Sequence, residues 1–185
     1  AQGVGARGVV VDRALDRLRC LDDICMGRIE TVWSSAAALE EQVLDADVII
    51  GAVLIPGAAA PKLITRSLVS QLQKGTVMVD VAIDQGGCFE TSRATSYQDP
   101  SYEVDGVVHY CVANMPGGVA RTATLALTNA TLPYVVRLAN SGLDALRDDP
   151  RFGLGLNVHD GKLTHAGVGE AFSLDVVAVQ DALKL

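Results

Sequence analysis

The chain has 185 residues, net charge −7, 49% hydrophobic residues and no basic run, which sets nucleic acid aside as a partner. Its length suits one well-buried domain, or one domain with part of another. Apolar stretches break within about ten residues and no secretory-type leader opens the chain, so a soluble cytoplasmic protein is expected, with no membrane partner.

In chain order, Gly3-Val4-Gly5-Ala6-Arg7-Gly8 fits the dinucleotide-binding pattern G-x-G-x-x-G, but its context is wrong. That mechanism needs a strand before the glycines and a helix after them. Here a strand, Gly8 to Val11, follows, so the glycines read as the end of a helix whose start is missing. Asp12 ends this strand. An acid at the second strand tip of a Rossmann unit accepts from a ribose 2′-OH and repels a 2′-phosphate, which favours NAD over NADP. Arg13 weakens that preference slightly, and Asp12 can equally cap the next helix.

Ala14 to Ile24 reads as a helix with Leu15, Leu18 and Leu21 on its inner face, and Arg28 to Val32 as a strand. Arg17, a turn into the first helix, is placed to lean over an adenine or simply to be solvated. Ser34-Ser35 starts an alanine-rich helix to about Leu44, with either serine as N-cap. Asp47 to Gly51 is the next strand, left by a smooth apolar loop, Ala52-Val53-Leu54-Ile55-Pro56-Gly57, against which a flat nucleotide ring can lie. A helix over Thr65 to Gln73 then returns the chain to the sheet.

The central stretch is Val77-Met78-Val79-Asp80-Val81-Ala82-Ile83-Asp84-Gln85-Gly86-Gly87. An apolar run without alternation predicts a strand covered on both faces, delivering Asp84 to the crevice beyond the carboxyl ends of a parallel sheet. A plain loop cap at Asp84 and a tight turn at Gly86-Gly87 are the simpler alternative. About fifteen residues without periodicity follow, long enough to suggest function or a crossing to another surface. The strand Val107 to Tyr110 ends in Cys111-Val112-Ala113-Asn114-Met115-Pro116-Gly117-Gly118, a second polar tip that, from a neighbouring strand, would place Asn114 on the same crevice as Asp84; a simple Asn turn is the alternative. Val119 to about Arg147 is helical, with Pro133 expected to kink or divide it. The tail reads as irregular.

Cys20, Cys25, Cys88 and Cys111 form no C-x-x-C pair, and His109, His159 and His165 are dispersed; buried thiols and no metal site are expected. The fold class is therefore α/β, a Rossmann-type parallel sheet followed by a helical C-terminal segment, divided as residues 1–118 and 119–185.

Ala52 to Gly57, Val79 to Cys88, Val112 to Pro116 and Thr128-Asn129-Ala130-Thr131-Leu132-Pro133-Tyr134 together resemble L-alanine dehydrogenase. The resemblance implies a chain that begins inside the first helix of an NAD domain, with the first strand, the glycine loop and the N-terminal lobe absent. The substrate-binding lysine and histidine of the family fall in that lobe and are assigned to no residue here. It further implies Asp12 on the adenosine ribose, Arg17 and Ser34 near the adenine, and Val53 and Leu54 along the cofactor path. Ile83 and Asp84 would reach the nicotinamide ribose and reaction centre, with Val112, Ala113, Asn114 and Met115 flanking the nicotinamide and Asp84 catalytic. Arg137 and Ser141 occupy the positions where some members have been proposed to hold magnesium, so no metal is expected. The implied reaction is reversible oxidation of L-alanine by NAD⁺, through an iminium hydrolysed to pyruvate and ammonium, in a homo-oligomer, a hexamer by resemblance. The alternatives are a related transhydrogenase NAD domain, another amino-acid dehydrogenase, or an NAD-binding module inactive alone. A methyltransferase would account for Asp12 but not for the Asn114-Met115-Pro116 tip.

Overall fold

A computed structural model describes residues 1–55 and 59–184. The chain opens with parallel strands β1 (Val9–Asp12) and β2 (Glu30–Trp33), connected by helix α1 (Leu15–Cys25). Helix α2 (Ala36–Leu44) leads to β3 (Val48–Gly51), and the short helix α3 (Arg66–Val69) to β4 (Val77–Asp80). The edge strand β5 (Ser101–Val104) and β6 (Val107–Tyr110) complete a second sheet of order β3-β4-β6-β5. That sheet is parallel except at β5. Helices α4 (Ala120–Ser141), α5 (Asp144–Arg147) and α6 (Pro150–Gly153) follow. The hairpin β7 (Val158–His159) and β8 (Lys162–Leu163) and helices α7 (Ala166–Phe172) and α8 (Val179–Ala182) end the chain.

Strand pairing gives the second sheet two unlike faces. Ile49, Gly51, Met78, Asp80, Val107 and His109 point to one side and are all buried. Val48, Ile50, Val77, Val79, Val108 and Tyr110 point to the other, where Val48 and Ile50 are exposed and the rest half-buried. The expected cover on both faces is thus present on one, because an unbroken apolar run reads the same whichever face is packed. The buried side meets Val43, Ile64, Val69, Leu72 and Phe89 in the main core. Phe89 is 2% exposed, and its burial contributes about 2 to 3 kcal/mol. Gly51 is required by this packing: a Cβ there would stand 2.2 Å from Cys88 Sγ and 2.7 Å from Phe89 Cζ.

Further expectations need correction, among them the tail, which is not irregular but carries α6, the hairpin β7-β8, α7 and α8. Helix α3 stops at Val69 rather than Gln73, because Ser70 Oγ and Gln71 Nε2 both donate to Ser67 O and compete with further helical bonds. The central strand ends at Asp80, four residues before Asp84. Part of the aperiodic stretch is β5, which returns through the two-residue turn Asp105-Gly106, both at positive φ (53° and 85°), the geometry of a tight hairpin. Pro133 lies inside an unbroken α4; the division comes at Gly142, φ 54°. Among the thiols, Cys88 and Cys111 are buried, Cys25 partly so and Cys20 exposed.

Candidate active site

β4 and β6 are parallel neighbours, so their carboxyl ends open at the same edge of the sheet. Beyond Asp80 the chain tightens into a 3₁₀ turn, Val81–Gln85, stopped by Gly86 at φ 89°. Asp84 lies exposed on that turn. Beyond β6, Asn114 takes the left-handed conformation, φ 53° and ψ 53°, and starts a second 3₁₀ turn, Met115–Val119. The backbone N–H of Asn114 donates to both carboxylate oxygens of Asp84, at 3.1 and 3.3 Å. The two predicted tips therefore touch, 30 residues apart in sequence.

Each tip is fastened from behind. Lys62 Nζ donates to the carbonyls of Gly86 and Gly87 at 2.6 and 2.8 Å, and Ala60 N–H donates to Gln85 O. Asp80 accepts from the N–H groups of Ala82 and Cys88, on either side of Asp84. The segment from Cys88 to Pro100 then crosses to the second tip. Ser92 Oγ donates to Asp80, Thr95 exchanges backbone bonds with Cys111 and Ala113, and Tyr97 Oη donates to Met115 O at 2.5 Å. The Tyr97 ring lies over Gly118, where a Cβ would stand 2.8 Å from its oxygen. This strap is the aperiodic stretch, and its hydrogen bonds link the two tips.

The strap also brings buried titratable groups behind the site. Burial, and then the charge of Asp80, push the Cys88 thiol up to about 12, so it stays protonated and is no nucleophile. His109 is fully buried; Nδ1–H donates to Val107 O, which leaves Nε2 to accept from Thr91 Oγ1 at 2.7 Å. Its ring stacks on Tyr102 with centroids 5.0 Å apart. Burial holds the His109 pKa below its ordinary 6.5. A depressed histidine pKa means the unfolded chain binds the proton more tightly, so the stability from neutral His109 is full above about 6.5 and falls as pH drops through and below it. His109→Gln is expected to flatten the fall in thermal midpoint between about pH 7 and pH 5 relative to wild type. An unchanged slope would contradict this account.

At the other end, the tip of β1 and the tip of β3 line one cavity of about 980 Å³. Asp12, Ser34, Val53 and Leu54, all expected to bind cofactor, are among its walls. Ser35 is the N-cap of α2, accepting from Ala38 N–H, which leaves Ser34 to face the cavity. Asp12 Oδ1 accepts from Ala14 N–H at 2.8 Å, so it caps the approach to α1 as well. Arg17 is exposed on α1 and not among the cavity's walls. Ile83 and Val112 are buried, so their side chains pack beneath the tips, while Ala113 and Asn114 are exposed and Met115 is half-buried. Pro56 and Gly57 of the apolar loop lie outside the described residues. The walls are mainly apolar but also hold Arg7, Arg13, Asp45 and Asp47 beside Asp12 and Ser34; such a cavity can take an adenosine, whose ring needs apolar contact and whose ribose needs an acceptor. Lys62, Ser92 and Tyr97 were not singled out from sequence; each acts on a partner at least 12 residues away. Among the described residues, no group of three or more His, Cys, Asp or Glu could hold a metal ion, and no helix is long and apolar enough to cross a membrane.

Residues 1–166 match the family described as alanine dehydrogenase/PNT, C-terminal domain. The chain belongs to this alanine dehydrogenase/PNT C-terminal domain family. It is 64% identical to an alanine dehydrogenase of Halomonas elongata over 178 residues, 96% of this chain and 48% of that protein. An alanine dehydrogenase of Staphylococcus haemolyticus is 50% identical, across all of this chain and 50% of its own length. The chain thus spans about half the length of the curated relatives it matches. A solved L-alanine dehydrogenase superposes with TM-score 0.81 at 50% identity, over 93% of this chain and 48% of the other. A transhydrogenase from Sinorhizobium meliloti, 24% identical, shares the fold at TM-score 0.66 over 89% of this chain and 44% of its own. The α/β architecture of this alanine dehydrogenase/PNT domain is thereby independently matched.

Proposed function

We propose that the chain is the NAD-binding part of an enzyme that reversibly oxidises L-alanine to pyruvate and ammonium. Residues 1–118 form the cofactor-binding portion, and residues 119–185 lead toward the remainder of a substrate lobe. The observation that carries this reading is the contact between Asp84 and the Asn114 tip at the carboxyl ends of adjacent parallel strands, where α/β sheets bind their ligands. The names of the relatives agree with it. Within the chain, α4 has no buried residue, in keeping with a helix that serves a larger body.

On this reading Asp12 accepts from the adenosine ribose, and Ser34, Val53 and Leu54 border the adenosine, with Arg17 above the adenine from α1. Ile83 supports the turn that meets the nicotinamide ribose, while Val112 and Ala113 carry the chain to Asn114 and Met115 at the nicotinamide edge. Asn114 presents both donor and acceptor, as a carboxamide-bearing ring requires. Bound NAD⁺ supplies the electron acceptor. Asp84 supplies negative charge where positive charge develops on the substrate nitrogen, a stabilisation of about 2 to 4 kcal/mol. Its orientation is set by the Asn114 N–H, so little reorganisation is needed when that charge appears.

The full-length enzyme is expected to convert L-alanine and NAD⁺ to pyruvate, ammonium and NADH in equal amounts, as a homo-oligomer. Asp12→Ala should weaken NAD⁺ at least about tenfold, the value of a lost charge-assisted hydrogen bond or two. Calorimetric titration checks it; unchanged affinity would remove Asp12 from the site. Absence of alanine oxidation in a folded, NADH-binding enzyme would contradict the functional reading itself.

A further inference from the structure

Asp80 is fully buried, and no lysine or arginine forms an ion pair with it among the described residues. A carboxylate in such a place persists only when hydrogen-bond donors replace its water. Four do so here. Ala82 N–H lies at 3.1 Å and Cys88 Sγ at 3.5 Å from Oδ1; Cys88 N–H lies at 2.9 Å and Ser92 Oγ at 2.5 Å from Oδ2. The donors lie on the Asp84 turn ahead of Asp84 (Ala82), just after the turn (Cys88) and on the strap (Ser92). Gly87 shows how closely the chain is wrapped on this group: a Cβ there would stand 2.7 Å from Asp80 Oδ2 and 2.8 Å from Ser92 Cβ.

The strap continues from Ser92 to Thr95 and Tyr97, which hold the Asn114 tip. One buried carboxylate therefore joins both halves of the site while lying out of reach of solvent. We propose that Asp80, linked through Ser92, is a positioning residue that sets Asp84 against Asn114 and so governs turnover without touching substrate or cofactor. This rests on the functional reading above. Nothing in the reaction needs a second carboxylate at this depth, whereas among the described residues no other side chain fastens both sides of Asp84 and the strap at once.

Steady-state kinetics of the full-length enzyme test it with Asp80→Asn, Ser92→Ala and Asp84→Asn, singly and in pairs. Asp80→Asn, which puts an amide donor against donors, should lower kcat about 10- to 100-fold, and Ser92→Ala about 3- to 10-fold, with KM for NAD⁺ within about twofold. In the Asp84→Asn background neither should lower kcat further, because a group that acts through Asp84 has nothing left to position. Losses that multiply in the pairs, or single variants with wild-type kcat, would overturn the proposal. If Asp80→Asn does not fold, Ser92→Ala and its pair decide by the same criteria. Hydrogen exchange gives a readout free of the reaction: Ser92→Ala should speed exchange in residues 81–88 and 112–118 together. Joint acceleration in an enzyme that fails to oxidise alanine would reject the functional reading and keep the coupling; acceleration confined to one tip would reject the coupling.

Discussion

Asp84→Asn in the full-length enzyme is expected to lower kcat by about two to three orders of magnitude while changing NAD⁺ affinity by no more than about threefold. Asparagine is nearly the same size as aspartate and can still accept from Asn114 N–H through its carbonyl oxygen, so the contact between the tips survives. What disappears is negative charge. Only the step in which the substrate nitrogen becomes positive depends on that charge, so the loss falls on turnover rather than on binding. Stopped-flow measurement of NADH formation beside equilibrium NADH titration separates the two. Equal losses in both would mean that Asp84 merely holds the cofactor.

Gly87→Ala should cost about 2 to 5 kcal/mol of folding stability, against about 1 to 2 for Gly86→Ala. Both glycines have positive φ, 89° at Gly86 and 74° at Gly87, so both alanines pay the left-handed backbone penalty. They differ in what surrounds them. A Cβ at Gly86 meets nothing within 4 Å, whereas one at Gly87 meets Asp80 Oδ2 and Ser92 Cβ, neither of which can withdraw without breaking a buried bond. Losing a bond to a buried carboxylate adds about 1 to 3 kcal/mol. Urea unfolding of the two variants checks the difference, and equal costs would show that the pocket around Asp80 is looser than its distances suggest. Gly87→Ala should also depress kcat, since the Asp80 and Ser92 contacts fasten the Asp84 turn.

The strands were legible because short Val and Ile runs ending in Asp12, Gly51 and Asp80 have few other uses, and the order of units required parallel pairing. The meeting of Asp84 and Asn114 was legible only on condition that their strands were neighbours, since each follows the end of a strand; the pairing of β4 with β6 meets that condition. Their roles came from resemblance, not from spacing. What sequence did not show was how the tips are held. Lys62, Ser92 and Tyr97 sit in aperiodic segments, and their partners are 24, 12 and 18 residues away, where no periodic pattern reaches. Strand β5 was hidden in the same stretch, although Asp105-Gly106 is a hairpin turn signal. Pro133 misled in the opposite direction: α4 runs straight through its position, and the glycine nine residues later ends it.

The most direct test is a crystal structure of the full-length enzyme with NAD⁺ bound. The nicotinamide should lie in van der Waals contact with the Asp84 turn and with Asn114 and Met115, and the adenosine ribose should be hydrogen-bonded to Asp12. A nicotinamide bound away from both tips, with Asp84 facing only solvent, would contradict the account.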